Sequence, residues 1–437
     1  AVVGVLGLIY CMHRHPQLRA LHAVLGHRKL VTIGRISYSL YLWHWPVFVM
    51  CRWTVGLDTP LTRLVALVLA FGLAVASYTL IENPIRYAKN LRRLPQMATI
   101  TLGLMCIGGS WWAAKGITDN SQQISLSALS KAPQDWYPKG PAESDENPGC
   151  HAEPEYHNLS DGFVMQFTPR CDSPRPLNPH TLYAIGDSHT LAYEGLFKQY
   201  ALRTHSTVRV YNNGGCPFVS FQLERENCTQ ATAAALADIN ERIQPGDVLF
   251  LASLRLARLS DQWASFEEAN AHQQMFNATA QAERQQGLTQ ALDTLKPFAE
   301  RGVHVVLEGP KPLFRAPPFR CADAFNRNNP ICQQGFSVPR SLLERFRAPV
   351  LETYATLAEQ VPNVVVWDPF PVLCPTQACS AFRDGKPLFL DGDHISGFGN
   401  QVVLDSFRQF MHKLPEPSAQ QGVKPLPRQA DLVSGYE

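Results

Sequence analysis

Apolar positions cluster in two different ways along this chain. Near the start they run together in long blocks. From about residue 181 they come as short blocks alternating with amphipathic stretches. Four long blocks stand out: Ala1 to about Cys11, about Ile36 to Trp53 (ISYSLYLWHWPVFVMCRW), about Leu61 to Ile81, and about Met97 to Ala114. The last three approach the roughly 20 residues that cross a bilayer. Buried helices of a soluble protein produce similar runs, but the flanks favour a membrane. HRHPQLRALHAVLGHRK and RYAKNLRR are basic, whereas TVGLDTP, between the second and third runs, carries no Lys or Arg. Basic loops stay in the cytoplasm. The pattern therefore predicts four crossings, with residues 1, 54–60 and everything after 115 outside the cytoplasm. The chain begins at Ala1 inside an apolar run, without the basic start and cleavage site of a signal peptide. It reads as the C-terminal part of a longer protein.

Residues 115 to about 176 are rich in Pro, Ser, Asp and Asn and hold no period, which predicts an irregular linker. Beyond them TLYAIG, TVRVYN, DVLFLAS, VHVVLEGP and NVVVWDP read as strands. Between and after them come TLAYEGLFKQYAL, TQATAAALADINERI, AERQQGLTQALDTLKPFAERG, SLLERFRAPVLETYATLAEQ and FGNQVVLDSFRQFM, which read as helices. Continuous apolar strands alternating with helices mean an α/β domain, a parallel sheet covered by helices on both faces. The predicted organisation is membrane helices over 1–114, linker over 115–176, α/β domain over 177–413 and a disordered tail over 414–437.

Charge changes little: Lys and Arg exceed Asp and Glu by a formal +2. With no basic stripe interleaved with aromatics, nucleic acid is not expected as a partner. Cysteine is more informative. Of eleven, Cys11, Cys51 and Cys106 lie in apolar runs, and the other eight all follow the last one. An even set without any C-x-x-C spacing suits an oxidising compartment better than a zinc ribbon. Pairing of sequence neighbours gives 150–171, 216–228, 321–332 and 374–379, one of 105 possible connectivities.

In such a sheet, ligands bind beyond the carboxyl ends of the strands. Asp187, Ser188 and His189 stand there, at the end of TLYAIG and before a helix. A serine hydroxyl is a poor nucleophile without a base, which is typically a histidine oriented by a carboxylate. LFLDGDHISGFG, Leu388 to Gly399, supplies both. With a turn at Gly392, Asp391 and His394 project together, leaving the second imidazole nitrogen for Ser188. Asp393 is expected to point elsewhere, and His189 to be structural. Taken singly, GDS is an ordinary N-capped turn and DGDH an ordinary surface or cation-binding turn. Together they are the first and last loops of one α/β unit, in the order Ser, Asp, His.

These two blocks resemble the SGNH (GDSL-like) hydrolase and esterase superfamily. The resemblance implies a flavodoxin-like sheet, with Ser188 as nucleophile, His394 as base and Asp391 as its partner. It also implies an oxyanion hole from the Ser188 N–H, a glycine N–H and an asparagine side chain. NNGGCPF fits the glycine block through Gly214 or Gly215. The asparagine block departs: LFLASLRLARLSDQW contains no Asn, leaving Arg255 or Arg258 as donor, or a hole with two donors. Upstream, GRISYSLYLWHWPVFV and SYTLIENPIRY resemble the last segments of the membrane-bound acyltransferase-3 family, over roughly residues 31–90. His44 within that block is read as structural.

Members combining both parts resemble bacterial O-acetyltransferases of lipopolysaccharide O-antigen and other envelope glycans. That implies a multi-pass inner-membrane protein with its C-terminal domain in the periplasm, a glycan acceptor and the lipid bilayer as partners. Acetyl-CoA is implied as the ultimate donor of the full-length protein; no cofactor and no metal are expected on the portion present. A periplasmic carbohydrate O-acetyl esterase is the alternative enzyme, and an inactive membrane-tethered glycan-binding module the alternative outside catalysis.

Overall fold

The computed structural model describes Tyr10 and residues 23–88, 93–139, 149–159, 162–172, 180–212, 215–221 and 228–414. The first apolar run, Gly214 and the tail beyond Leu414 lie outside the described residues. The chain divides into two compact units, Ala1–Ile124 with Phe325–Pro330, and Ser125–Ala324 with Ile331–Glu437.

In the first unit, α1 spans Arg28–Thr54, α2 spans Pro60–Ser77 and α3 spans Gln96–Asp119. Thr59 caps α2 by accepting from the Thr62 N–H, and Pro60 opens its first turn, where a missing N–H costs nothing. Helicity continues through a π-helical turn at Tyr78–Glu82 into Asn83–Tyr87. Ala66, Ala70 and Ala74 recur every fourth residue and are buried, and Ala66 and Ala70 cluster with Val47 of α1. Small side chains on one ridge let two helices approach closely. Ser39 donates to the Glu82 carboxylate at 2.8 Å, which joins SYSLYLWHWP to IENPIR.

Two helical stretches, Pro60–Tyr87 and Gln96–Asp119, are long and apolar enough to cross a membrane. The hydropathy pattern predicts four crossings. Among the described residues α1 has the length but not the hydropathy, because Ser, Tyr, Trp, His and Pro dilute its aliphatic positions.

The second unit is built on one seven-stranded sheet. Its strands are β1 (Pro154–Leu159), β2 (Gly162–Phe167), β3 (Leu182–Gly186), β4 (Val208–Asn212), β5 (Val248–Leu251), β6 (His304–Glu308) and β7 (Val364–Trp367). Their order across the sheet is β7-β6-β5-β3-β4-β2-β1. The five strands from β3 to β7 are parallel, as continuous Val, Ile and Leu runs require. Counted among themselves they follow the flavodoxin-like order 2-1-3-4-5, whose switch point falls beside β3. β1 and β2 form a hairpin that adds antiparallel to β4. The sheet is therefore mixed, not purely parallel, and a stretch expected as irregular linker supplies two of its strands. The reason is local. GFVMQF buries Val164, Met165 and Phe167, but β1 (PEYHNL) sits at the sheet edge with no fully buried side chain and carries no apolar alternation.

Helices flank this sheet: α4 (Glu194–Thr204), α5 (Thr229–Arg242), α6 (Glu268–Phe276), α7 (Ala278–Glu300), α8 (Arg340–Gln360) and α9 (Gly397–His412). α4 packs with α9, and α7 with α8. Phe250 of β5, Trp367 of β7 and Phe407 of α9 meet edge-on or tilted at 4.9–5.9 Å between ring centroids, anchoring the core.

Four disulfides, Cys150–Cys171, Cys216–Cys228, Cys321–Cys332 and Cys374–Cys379, match the sequence-neighbour pairing. Cys51 and Cys106 are free. Alkylation of the unfolded chain should therefore label eight more thiols after reduction than before, counted by mass spectrometry. Equal labelling would mean that no bridge forms.

Candidate active site

β3 is fully buried and ends at Gly186, where the chain must pass very close to β5. A Cβ on Gly186 would stand 1.8 Å from the Ala252 carbonyl oxygen and 2.5 Å from Thr190 Oγ1. Only glycine fits there. Asp187 then caps the one-turn helix Ser188–Leu191: its Oδ1 accepts from the His189 N–H at 3.0 Å. Its other oxygen accepts from the Leu254 N–H at 3.0 Å, and Thr190 Oγ1 donates to the Ala252 carbonyl at 2.6 Å. The serine turn is thus clamped to the loop after β5, and Asp187 is spent on holding it.

The second block arrives from the loop before α9. Asp391 Oδ1 accepts from the N–H groups of Asp393 and His394 at 3.1 and 2.8 Å, which curls Asp391–His394 into a tight turn. The Leu390 N–H donates to the His394 carbonyl at 2.8 Å and closes it. Gly392 is again forced, since a Cβ there would lie 2.2 Å from Ser260 Oγ.

These two loops meet. Ser188 Oγ lies 2.7 Å from His394 Nε2, and His394 Nδ1 lies 3.0 and 2.9 Å from the two oxygens of Asp391. Residues 206 positions apart along the chain thus form a hydroxyl–imidazole–carboxylate array with hydrogen-bond contact at both joints. Burial pulls the His394 imidazolium down, but the carboxylates of Asp391 and Asp393 outweigh it and hold the ring up at about 10.

Three neighbours add to or depart from the expected picture. Asp393 does not point elsewhere: its Oδ1 lies 2.9 Å from the same His394 Nδ1, and Arg258 Nε donates to its Oδ2. The tight turn around Asp391 Oδ1 brings both carboxylates to one side of the ring. Burial alone would raise Asp393, yet its interactions with His189 and His394 hold it well below the usual carboxylate range. Arg255 lines the cavity, but most of its guanidinium is taken up by backbone carbonyls. It is buried, with Nε on the Val219 carbonyl at 2.9 Å and its outer nitrogens 3.3–3.4 Å from the carbonyls of Ser253, Phe218 and Leu251. Its guanidinium ties the loop after β4 to the loop after β5, and lies 5.5 Å from the centre of the Tyr354 ring. His189 is structural in the sense expected, yet it sits against the base. It is 1% exposed, and its ring stacks on His394 with centroids 4.4 Å apart. Burial, with His394 next, lowers its affinity for a proton.

Ser188 opens onto a cavity of about 920 Å³. Gly215, with φ +86°, lines it from the loop after β4, and Arg258 from the loop after β5. Its far wall is α6 and the start of α7, presenting Glu267, Asn270, Gln274 and Glu283. The half-exposed Phe266 stands at that wall. Sequence reasoning misses this wall: EANAHQQMF has weak amphipathic contrast, and nothing in it marks a site.

Residues 150–409 match the family model described as an SGNH domain fused to AT3 domains. The match covers more than half of the chain, and the protein belongs to that family: it is an acyl-handling enzyme, and its apolar helices fit a membrane protein. No curated protein matches its sequence. Solved structures with a similar chain trace include the periplasmic domain of the Salmonella ser. Paratyphi A lipopolysaccharide acetyltransferase. That likeness has 14% identity and a TM-score of 0.32, and covers 54% of this chain and 85% of that one. Carboxyl esterase 2 of the mycorrhizal fungus Tuber melanosporum has 11% identity and a TM-score of 0.28, over 69% of this chain and 98% of its own. A doubly substituted mutant of the esterase rPPE has 10% identity and a TM-score of 0.27, over 75% of this chain and 98% of its own.

Proposed function

We propose that the protein is an O-acyltransferase, most simply an O-acetyltransferase, that modifies a cell-envelope glycan through an acyl-Ser188 intermediate. The observation that carries this is the contact of Ser188 with His394 and of His394 with Asp391, at the mouth of a polar cavity much larger than an acetyl group needs. His394 takes the Ser188 proton as the hydroxyl attacks the acyl carbonyl, then returns it to the leaving group. In the second half, His394 takes a proton from a sugar hydroxyl, which attacks the acyl-serine ester; the Ser188 Oγ–acyl bond breaks and His394 returns the proton to Ser188 Oγ. The oxygen of each tetrahedral intermediate is received by the N–H groups of Ser188 and Gly215. Most of the Arg255 guanidinium is taken up by carbonyls, so the hole has two donors or draws a third from Arg258 or from the remaining N–H of Arg255.

A polyhydroxylated acceptor suits a wall of amides and carboxylates beside an exposed aromatic ring, because sugars offer many hydroxyls and an apolar C–H face. The multi-pass inner-membrane setting, with this domain in the periplasm, is what the family resemblance implies, and the basic flanks of the apolar runs support that orientation. Acetyl-CoA as ultimate donor follows from the family's membrane part, and none of the described residues is assigned to hold it.

The test is partition. With 4-nitrophenyl acetate as donor and envelope glycan from a strain lacking the protein as acceptor, mass spectrometry should find acetyl ester on the glycan. Release of acetate alone would make the protein an esterase.

A further inference from the structure

A triad needs one carboxylate on the base. Here two buried carboxylates, Asp391 and Asp393, stand within 2.9 Å of His394 Nδ1, both 1% exposed. They are not equivalent. Asp391 meets the ring with hydrogen-bond geometry through both oxygens. Asp393 Oδ1 is off that line and has no hydrogen bond among the described residues. A buried carboxylate oxygen left without a donor costs free energy unless a proton or cation is beside it. Among the described residues, the adjacent groups are the Nδ1–H of His394, the Arg258 guanidinium on its other oxygen and, 3.8 Å from that same oxygen, Nε2 of His189.

Arg258 connects this arrangement to the cavity. Its Nε is bound to Asp393, and its side chain, 39% exposed, lines the space onto which Ser188 opens. We propose, resting on the triad reading above, that Asp393 and Arg258 are a positioning pair for His394. Asp393 places a second buried carboxylate charge beside the Nδ1–H that Asp391 accepts, and Arg258 sets how strongly that charge holds the proton.

The other groups facing the ring leave this role open to the pair alone. His189 stacks on the ring from the serine turn, with its Nε2 3.8 Å from Asp393 Oδ2, and burial lowers its affinity for a proton. Lys311, in the loop after β6, is bound to Glu308 and acts on His189. Asp187 is committed to the His189 and Leu254 N–H groups. Asp391 and Ser188 hold the two ring nitrogens.

The signs follow from charge. Asp393→Asn removes an anion beside the imidazolium and leaves the Arg258 cation near it, so the ring releases its proton at lower pH. Arg258→Met removes the cation and leaves Asp393 free to hold the imidazolium, so the proton is released at higher pH. An opposite charge at this range is worth about 1–3 pH units.

The experiment is the pH dependence of kcat/KM for 4-nitrophenyl acetate hydrolysis by the full chain. The alkaline-rising limb of Asp393→Asn should lie about one unit or more below that of the unaltered protein, and that of Arg258→Met above it. Arg258→Lys, which keeps a cation beside Asp393, should return the limb most of the way to its unaltered position. A residue that only supports the fold would lower the rate at all pH values without moving the limb. Limbs that superimpose in both variants would overturn the inference, as would displacement of both in one direction. If Asp393→Asn does not fold, the sign of the Arg258→Met displacement decides. NMR titration of the labelled His394 ring in the Ser188→Ala background reads the same order without turnover. A chain that hydrolyses no ester would sink the triad reading, and the ring titration would still judge the pair.

Discussion

Ser188→Ala should reduce hydrolysis of a small acetyl ester by at least ~10⁴-fold while leaving the thermal transition in place. The hydroxyl is the nucleophile, and the only side-chain bond it makes among the described residues is to His394 Nε2. Alanine therefore removes the attacking atom and little packing. His394→Ala should fall nearly as far, and the double variant no further than either single one, because the groups act as a unit. Asp391→Asn should cost less, yet still orders of magnitude, since the amide cannot hold the ring in the needed tautomer. Initial rates with each purified variant check the series. Wild-type turnover by Ser188→Ala would remove Ser188 from the chemistry altogether.

Gly186→Ala should destabilise the domain by more than about 3 kcal/mol, a larger cost than any of the catalytic substitutions. The new methyl would stand 1.8 Å from the Ala252 carbonyl, 2.5 Å from Thr190 Oγ1 and 2.7 Å from Ser253 Oγ. The carbonyl belongs to the loop that leaves β5, so relief requires β3 and β5 to separate at the place where the clamp through Asp187 and Thr190 is made. Denaturant unfolding of the disulfide-intact domain measures the loss. A midpoint equal to that of the unaltered protein would mean the strands are not held as closely as described.

The parallel core is legible in the sequence because each of its strands is a continuous apolar run with no competing period. The same holds for the meeting of GDS with DGDH: a sheet whose ligand edge is fixed by topology brings the first and last loops together, whatever lies between. What the sequence does not show depends on pairing instead of pattern. The β1–β2 hairpin ends in an edge strand with no fully buried side chain, so no alternation marks it. Arg255 and Arg258 stand three residues apart in one loop, yet one is consumed by four carbonyls and the other reaches a carboxylate 135 positions away. Spacing alone does not distinguish them. Asp393 escapes the sequence reading because an open turn would aim it away from the ring, whereas two N–H groups converging on one Asp391 oxygen wind the turn shut.

The bridges form between cysteines that follow one another along the soluble domain, at separations of 21, 12, 11 and 5 residues. No bridge encloses or interleaves with another. For a chain that emerges from a translocation channel N-terminus first, each thiol meets its correct partner before the next pair appears. Oxidation on emergence then yields the native set without reshuffling. The yield of folded domain should depend on an oxidase that makes disulfides and be indifferent to an isomerase that corrects them, and the order of emergence does the work of proofreading.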